Sequence, residues 1–311
     1  ESCCRTCGDL LRTENAELFA LAMGGYGLFG IILDLVVEMV PNVLLAPTFK
    51  EMPAERFGEQ FVAAIENDPS VKMAYGRLSV ARKDFLRDAL MITYQPQPTP
   101  EGGLPSATAG GFMSNISRDI YRAQVGRDMM KHARWFAETV VGPSVSSGLA
   151  TRNSLMNEPV SNLASSDRSR TDILHEYFVP PERFGEFVEA CRDVILRSQQ
   201  EFLNVTLRYV KPDLTSFMAF APTRRIAAVM SFSQKISPEA ETDMLQMTEE
   251  LIDRVAAIGG SFYLPYRLHA RRDQVEKVYS RTPEFVARKR HYDPGLLFRN
   301  HMWDAYFSEA A

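Results

Sequence analysis

The chain has 311 residues, 45% of them apolar and 24% charged, with a formal charge of −4 at pH 7. This is an ordinary soluble composition with material for a sizeable core, enough for one large domain or two of common size. Phosphate binding wants a clustered basic excess, so a slightly acidic chain excludes nucleic acid as an expected partner.

Three of the four cysteines, Cys3, Cys4 and Cys7, stand at the amino end, and Cys191 falls inside an amphipathic pattern. A zinc site takes four ligands, or three and an open position, and the nearest histidine to C-C-x-x-C is His132. No metal is expected, and cysteine usage points to a cytoplasmic location. No basic segment followed by an apolar one opens the chain, so no secretory leader is read there; a start at Glu1 suggests that sequence precedes it. The uncharged run Leu18 to Leu33 is shorter than the roughly 18 to 20 residues of a membrane-crossing helix, and four glycines weaken its helicity. No transmembrane segment is expected.

"GGYGLFGIILDLVVEMVPN", residues 24–42, has Gly24, Gly25, Gly27 and Gly30 before a branched apolar run that Pro41 and Asn42 end. The run from Gly30 to Val40 reads as a buried strand. Glycines before a strand let the backbone turn sharply or approach another group without a Cβ in the way. Gly25, Gly27 and Gly30 match G-x-G-x-x-G, but a dinucleotide fingerprint follows a strand and opens a helix, the reverse of this order.

Residues 54–66 have helical apolar spacing, and "MAYGRLSV" and "DALMITYQP", residues 73–80 and 88–96, read as a strand pair. Residues 96–117 are loop-like, 118–142 form a helical pattern, and 143–170 have no apolar period. Loops of this length in a compact domain tend to cover something.

From Leu174 a regular order is predicted. Strand 174–180 leads into a helix opened by Pro181, and strands 202–210, 217–222 and 225–234 follow. A helix capped by Ser237 and ended by Gly259-Gly260 precedes a last strand, 261–268. Such an order makes an α+β module, an antiparallel sheet with helices on one face and the other face free. Alternation puts Asn204, Thr206 and Arg208 on one face of their strand, sets Ser231 and Ser233 against Met230 and Phe232, and sets Glu176 against His175 and Tyr177.

The glycine-rich segment 24–42, "SFYLPYR" at 261–267 and "YDPGLLFRN" at 292–300 resemble FAD-linked oxidases of the vanillyl-alcohol oxidase superfamily, with a PCMH-type FAD-binding domain. The closing motifs resemble the branch of aldonolactone oxidase, alditol oxidase and decaprenylphosphoryl-ribose oxidase. The resemblance spans Glu14 to Phe307 and implies three parts: 1–42 as the end of an FAD-binding domain, 43–291 as a substrate or cap domain, and 292–311 as a tail returning to the flavin domain. It implies an FAD-dependent oxidoreductase, here its C-terminal portion, that takes hydride from a CH–OH group to flavin N5, with a hydroxylated small molecule as substrate. Gly24, Gly25, Gly27, Gly30, Ile31 and Asn300 are then cofactor-binding, and Glu176, Ser231 and His269 substrate-binding.

Relatives often carry a Lys or Arg, and frequently a His-Trp, on or before the strand matching 261–267; this sequence has Ser261-Phe262-Tyr263 and Tyr266-Arg267. Either Arg267 supplies the charge after a shift of register or Tyr266 serves through its hydroxyl, and Arg208 matches a substrate- or flavin-facing Arg. Tyr266, Arg267 and Arg208 are thus the catalytic candidates. A non-catalytic domain of the same fold, binding a small molecule or a partner chain, is the alternative.

Overall fold

The computed structural model describes residues 11–106, 121–142, 148–157 and 167–308. The amino-terminal cysteines lie outside the described residues. Eight strands form one sheet: β1 Leu44–Pro53, β2 Met73–Leu78, β3 Asp88–Pro96, β4 Ala150–Thr151, β5 Arg170–Val179, β6 Glu201–Val210, β7 Arg225–Lys235 and β8 Ser261–Phe262. Their order is β4-β1-β3-β2-β6-β7-β5-β8, and every neighbouring pair is antiparallel. The α+β class expected from the sequence is therefore the one observed.

The helices are α1 Ala16–Met23, α2 Phe57–Glu66, α3 Asp128–Phe136, α4 Arg152–Met156, α5 Phe184–Ile195, α6 Pro238–Ala257, α7 Arg272–Val278 and α8 Thr282–Tyr292. The main core lies between one sheet face and α2, α5 and α6, where Val205, Leu207, Ala228, Met230 and Phe232 meet Phe57, Phe187, Met244 and Leu251. Its apolar spacing makes α5 amphipathic, which is why burial rather than helix propensity holds it. Ser237 caps α6 by accepting from the Ala240 N–H, and Gly259, at φ +73°, ends the turn after it in a conformation that favours glycine.

The sheet is two copies of one arrangement. β1-α2-β2-β3 and β5-α5-β6-β7 each run strand, helix, strand, strand, and they join where β2 pairs β6 at Gly76↔Leu207 and Arg77↔Thr206. Each first strand ends on the same seven-residue turn, Pro53-Ala54-Glu55-Arg56-Phe57-Gly58-Glu59 and Pro180-Pro181-Glu182-Arg183-Phe184-Gly185-Glu186, identical at every position but the second. Pro53 and Pro180 have nearly the same backbone angles, φ −57° with ψ 135° and 133°. Phe57 and Phe184 meet across the join at 5.6 Å between ring centroids.

Several predicted elements are corrected. Residues 31–40, expected as part of a buried strand from Gly30 to Val40, belong to no strand, with Ile31, Leu33, Val36 and Met39 exposed. A strand needs a neighbour for its N–H and C=O groups, and residues 31–40 pair with none of the eight strands; α4 reaches the segment only at its end, where Arg152 donates to the Pro41 carbonyl and the Asn153 N–H to Asn42 Oδ1. Residues 217–222 are turns instead of a strand, pinned by the Phe217 N–H on the Ala20 carbonyl. The last strand stops at Phe262 and one further bond, Tyr263 N–H to the Glu176 carbonyl, because Pro265 has no N–H to continue the ladder. The helix read over 118–142 breaks at Gly126, φ +68°, before α3.

The face opposite the core helices is not free. Residues 121–142 cross it: Tyr121 bonds Ser231, Lys131 pairs with Glu201, and Arg134 donates to Asn204. Also unexpected is β1, which Pro47 masks in the sequence. β4 covers only Leu44 and Leu45, so β1 is the sheet edge beyond them, where a proline is tolerated.

Candidate functional site

Two regions far apart in sequence face one cleft. The chain leaves α1 through Gly24-Gly25-Tyr26-Gly27, and the cleft of about 250 Å³ lies between this loop and Asp213, Met218, Phe220 and Tyr263. The loop is held from behind by the C-terminal region. Asn300 Nδ2 donates to the Tyr26 carbonyl at 3.0 Å, and the buried Lys289 ammonium donates to the Leu28 carbonyl at 2.6 Å while paired with Asp293.

The glycines divide into two pairs. A Cβ on Gly24 would stand 2.8 Å from Ser216 Cβ, and one on Gly25 would stand 1.9 Å from the Leu21 carbonyl oxygen, so these two are required by packing inside the protein. Gly27, φ +78°, and Gly30, φ +148°, have nothing within 4 Å of that position and leave main chain bare. Tyr26 between them takes φ +52°, a conformation few non-glycine residues adopt and one that concentrates at functional sites. Burial, then Tyr263 and Asp213, push its phenol well above the usual range.

Tyr263 is the hinge of the site. Its ring meets Tyr26 at 6.1 Å, Phe220 at 6.1 Å and Tyr266 at 4.8 Å, each edge to face. From Tyr266 the polar sheet face begins: its hydroxyl approaches Glu176 Oε2 at 3.5 Å, the outer limit of a hydrogen bond. Burial raises the Glu176 carboxyl above the usual value, against the opposing pull of Arg208 and Tyr266. Burial, followed by Glu176, also raises the Tyr266 phenol. Arg208 is exposed and acts on both through its charge. A carboxyl whose pKa is raised by burial, beside a phenol and a guanidinium, can take up a proton from a bound hydroxyl and release it again.

The structure gathers some predicted residues and scatters others. Glu176, Tyr266 and Arg208 stand together, and Asn300 holds the glycine loop. Ser231 is taken by Tyr121, whose hydroxyl lies 2.6 Å from it. Ile31 is 76% exposed and is not among the residues that line the cleft. Arg267 and His269 turn to the helical layer, where Glu241 receives both, at 3.7 Å and 2.8 Å. The register argument for Arg267 fails because no ladder continues past Tyr263 to fix alternation there. Behind them His175 is buried, its imidazole pulled down to about 3 by burial and then by His269 and Arg267, so it is neutral at ordinary pH.

Tyr26, Tyr263 and Phe220 were not singled out in the sequence. A tyrosine enclosed by glycines was the available signal for Tyr26; Phe220 was hidden in a segment that reads as strand.

No family model matches the chain, and no curated protein does. Among solved structures it is similar to berberine bridge enzyme from Eschscholzia californica, at 11% identity and a TM-score of 0.41, over 88% of this chain and 57% of that one. A variant of berberine bridge enzyme described as a reticuline dehydrogenase has 11% identity and a TM-score of 0.43 over the same shares. Another variant, in complex with (S)-reticuline, has 12% identity and a TM-score of 0.46, over 94% of this chain and 61% of that one. The chain thus spans about three fifths of the length of these structures. No described helix is long and apolar enough to cross a membrane, and no group of three or more metal-ligating side chains occurs among the described residues.

Proposed function

We propose that this chain is the substrate-binding portion of an FAD-dependent oxidoreductase that oxidises a CH–OH group of a small hydroxylated molecule. The observation that carries the reading is a cleft lined by the bare main chain of Gly27 and by Tyr263, whose ring meets Tyr266, which in turn reaches Glu176. The residues fit part of such a cofactor: Gly27 offers backbone without side-chain obstruction, and the cleft of about 250 Å³ has aromatic walls suited to a planar ring.

Residues 31–42 support a flavin domain beside this one. Ile31, Leu33, Leu35, Val36, Val37 and Met39 are all more than half exposed, an apolar surface that a neighbouring domain would cover. In this reading 1–42 closes the FAD-binding domain, 43–291 binds substrate, and 292–311 returns to the glycine loop.

A bound flavin supplies the hydride acceptor. Glu176 takes the substrate hydroxyl proton as the C–H bond breaks, leaving a carbonyl; its raised pKa suits the transfer. Tyr266 orients that hydroxyl, and Arg208 favours the negative charge that develops on oxygen. Purification of the native protein tests the assignment: flavin absorbance bleached by substrate is expected, with bleaching slowed by about 10²–10⁴-fold in Glu176→Gln. A colourless protein, or undiminished flavin reduction in that variant, rejects it.

A further inference from the structure

Residues 263–271 form a strap over the sheet edge, joining the cleft to the helical layer. Tyr263 N–H bonds the Glu176 carbonyl at 2.9 Å, and His269 N–H closes a tight turn on the Arg267 carbonyl at 2.8 Å. Between those bonds the strap has no ladder to hold it. Its tyrosines go one way and its Arg267 and His269 the other.

One carboxylate receives the second group. Glu241, in the first turn of α6, accepts from His269 Nε2 at 2.8 Å through Oε1 and from Gln234 Nε2 at 2.7 Å through Oε2, with the Arg267 guanidinium at 3.7 Å. An ionised carboxylate only accepts, so His269 carries its proton on Nε2. His269 is 8% exposed and Gln234 3%, and neither His269 Nδ1 nor Gln234 Oε1 has a protein partner. Two largely desolvated groups therefore have Glu241 as their shared protein partner, although the carboxylate itself borders an open cavity of about 480 Å³.

Resting on the proposed reading of the cleft, we propose that Glu241 is a positioning residue: from the opposite side of the sheet it fixes the strap and so the placement of Tyr263 and Tyr266. The surrounding charges are consistent with this. On β7 Gln234, on the strap His269 and Arg267, and behind them His175 on β5 face the carboxylate or its partners, and none brings a second negative charge.

Amide hydrogen exchange on the protein itself tests this without flavin or substrate. In Glu241→Ala the Tyr263 amide is expected to exchange about tenfold faster or more while amides of β6 and the second half of α6 keep their rates, the mark of a local opening. Glu241→Gln, which keeps an oxygen for His269, is expected to restore part of the protection. Unchanged Tyr263 exchange in Glu241→Ala overturns the proposal. If Glu241→Ala loosens the whole fold, Glu241→Gln decides: faster exchange confined to the strap supports it, and none overturns it. Failure of the flavin reading would show instead as a colourless native protein with the strap still dependent on Glu241.

Discussion

The two halves of the sheet share an element order and a seven-residue turn, yet they present opposite surfaces on the side away from the core helices. In the first half Leu45, Leu90, Ile92 and Tyr94 form a small second core, closed by Trp135 and Leu155. In the second half the equivalent side carries Glu176, Asn204, Thr206, Arg208 and Ser231, where Arg77 of β2 donates to Asn204 and Thr206, Arg134 to Asn204, and Tyr121 bonds Ser231. The repeated turn thus specifies the scaffold, while the outward-facing alternate residues decide whether a face becomes core or site. Function in such an arrangement depends on side chains the scaffold does not use.

The largest effect should fall on the polar half. Glu176→Gln is expected to lower substrate oxidation by about 10²–10⁴-fold in the native enzyme, read by stopped-flow flavin reduction. It should also reveal the cost of burying an acid. A carboxyl whose pKa is raised in the fold favours folding below its ordinary pKa, and that contribution is lost as pH rises through the raised value. Hence the variant should melt higher than the wild type above that pH and not below it; equal melting curves throughout would mean that Glu176 is solvated. Activity, for the same reason, should climb with pH through the raised pKa.

The join between halves comes next. A Cβ at Gly58 would stand 2.2 Å from the Pro181 carbonyl oxygen and 2.7 Å from Phe184 Cβ, so Gly58→Ala is expected to cost about 3 kcal/mol in urea unfolding. A neutral result would show that the halves do not pack as described. On the apolar half, Trp135→Ala should cost about 1–2 kcal/mol, less than a fully buried aromatic because the indole is only half-buried. A larger loss there than in Gly58→Ala would invert the ranking of the two contacts.

The smallest effect sharpens the comparison most. Gly185 occupies the position in the second turn that Gly58 occupies in the first, but a Cβ there would meet nothing closer than Glu55, at 3.7 Å. Gly185→Ala should therefore be tolerated, and gain about 0.4–1 kcal/mol from the lower entropy of the unfolded chain. If it proves as damaging as Gly58→Ala, the halves are closer to symmetry than their packing indicates.

Much of this was legible before the fold. Alternation in β5, β6 and β7 assigned Glu176, Thr206, Arg208 and Ser231 to the correct face, because a period of two is a local property of any strand. The capping Ser237 and the terminating Gly259 were equally local. The repeated turn at 53–59 and 180–186 is plain in the sequence once one half is laid over the other. Other assignments needed distant partners. Arg267 and His269 are four and six residues beyond Tyr263, where ladder pairing stops, so no period governs them and Glu241 does. Gly24 and Gly27 are the same residue in the same motif, but Ser216 makes one a packing glycine and open space leaves the other bare.

By itself the sequence determined which segments are helix or strand wherever burial repeats with a regular period, and which side chains share a face, since both follow from backbone geometry over a few residues. Only the tertiary structure decided strand order, the crossing of residues 121–142 over the polar face, the turning of the strap toward α6, and the absence of a strand over residues 31–40. Each of these depends on a hydrogen-bonding or packing partner remote in the chain, and no local pattern carries the identity of a remote partner.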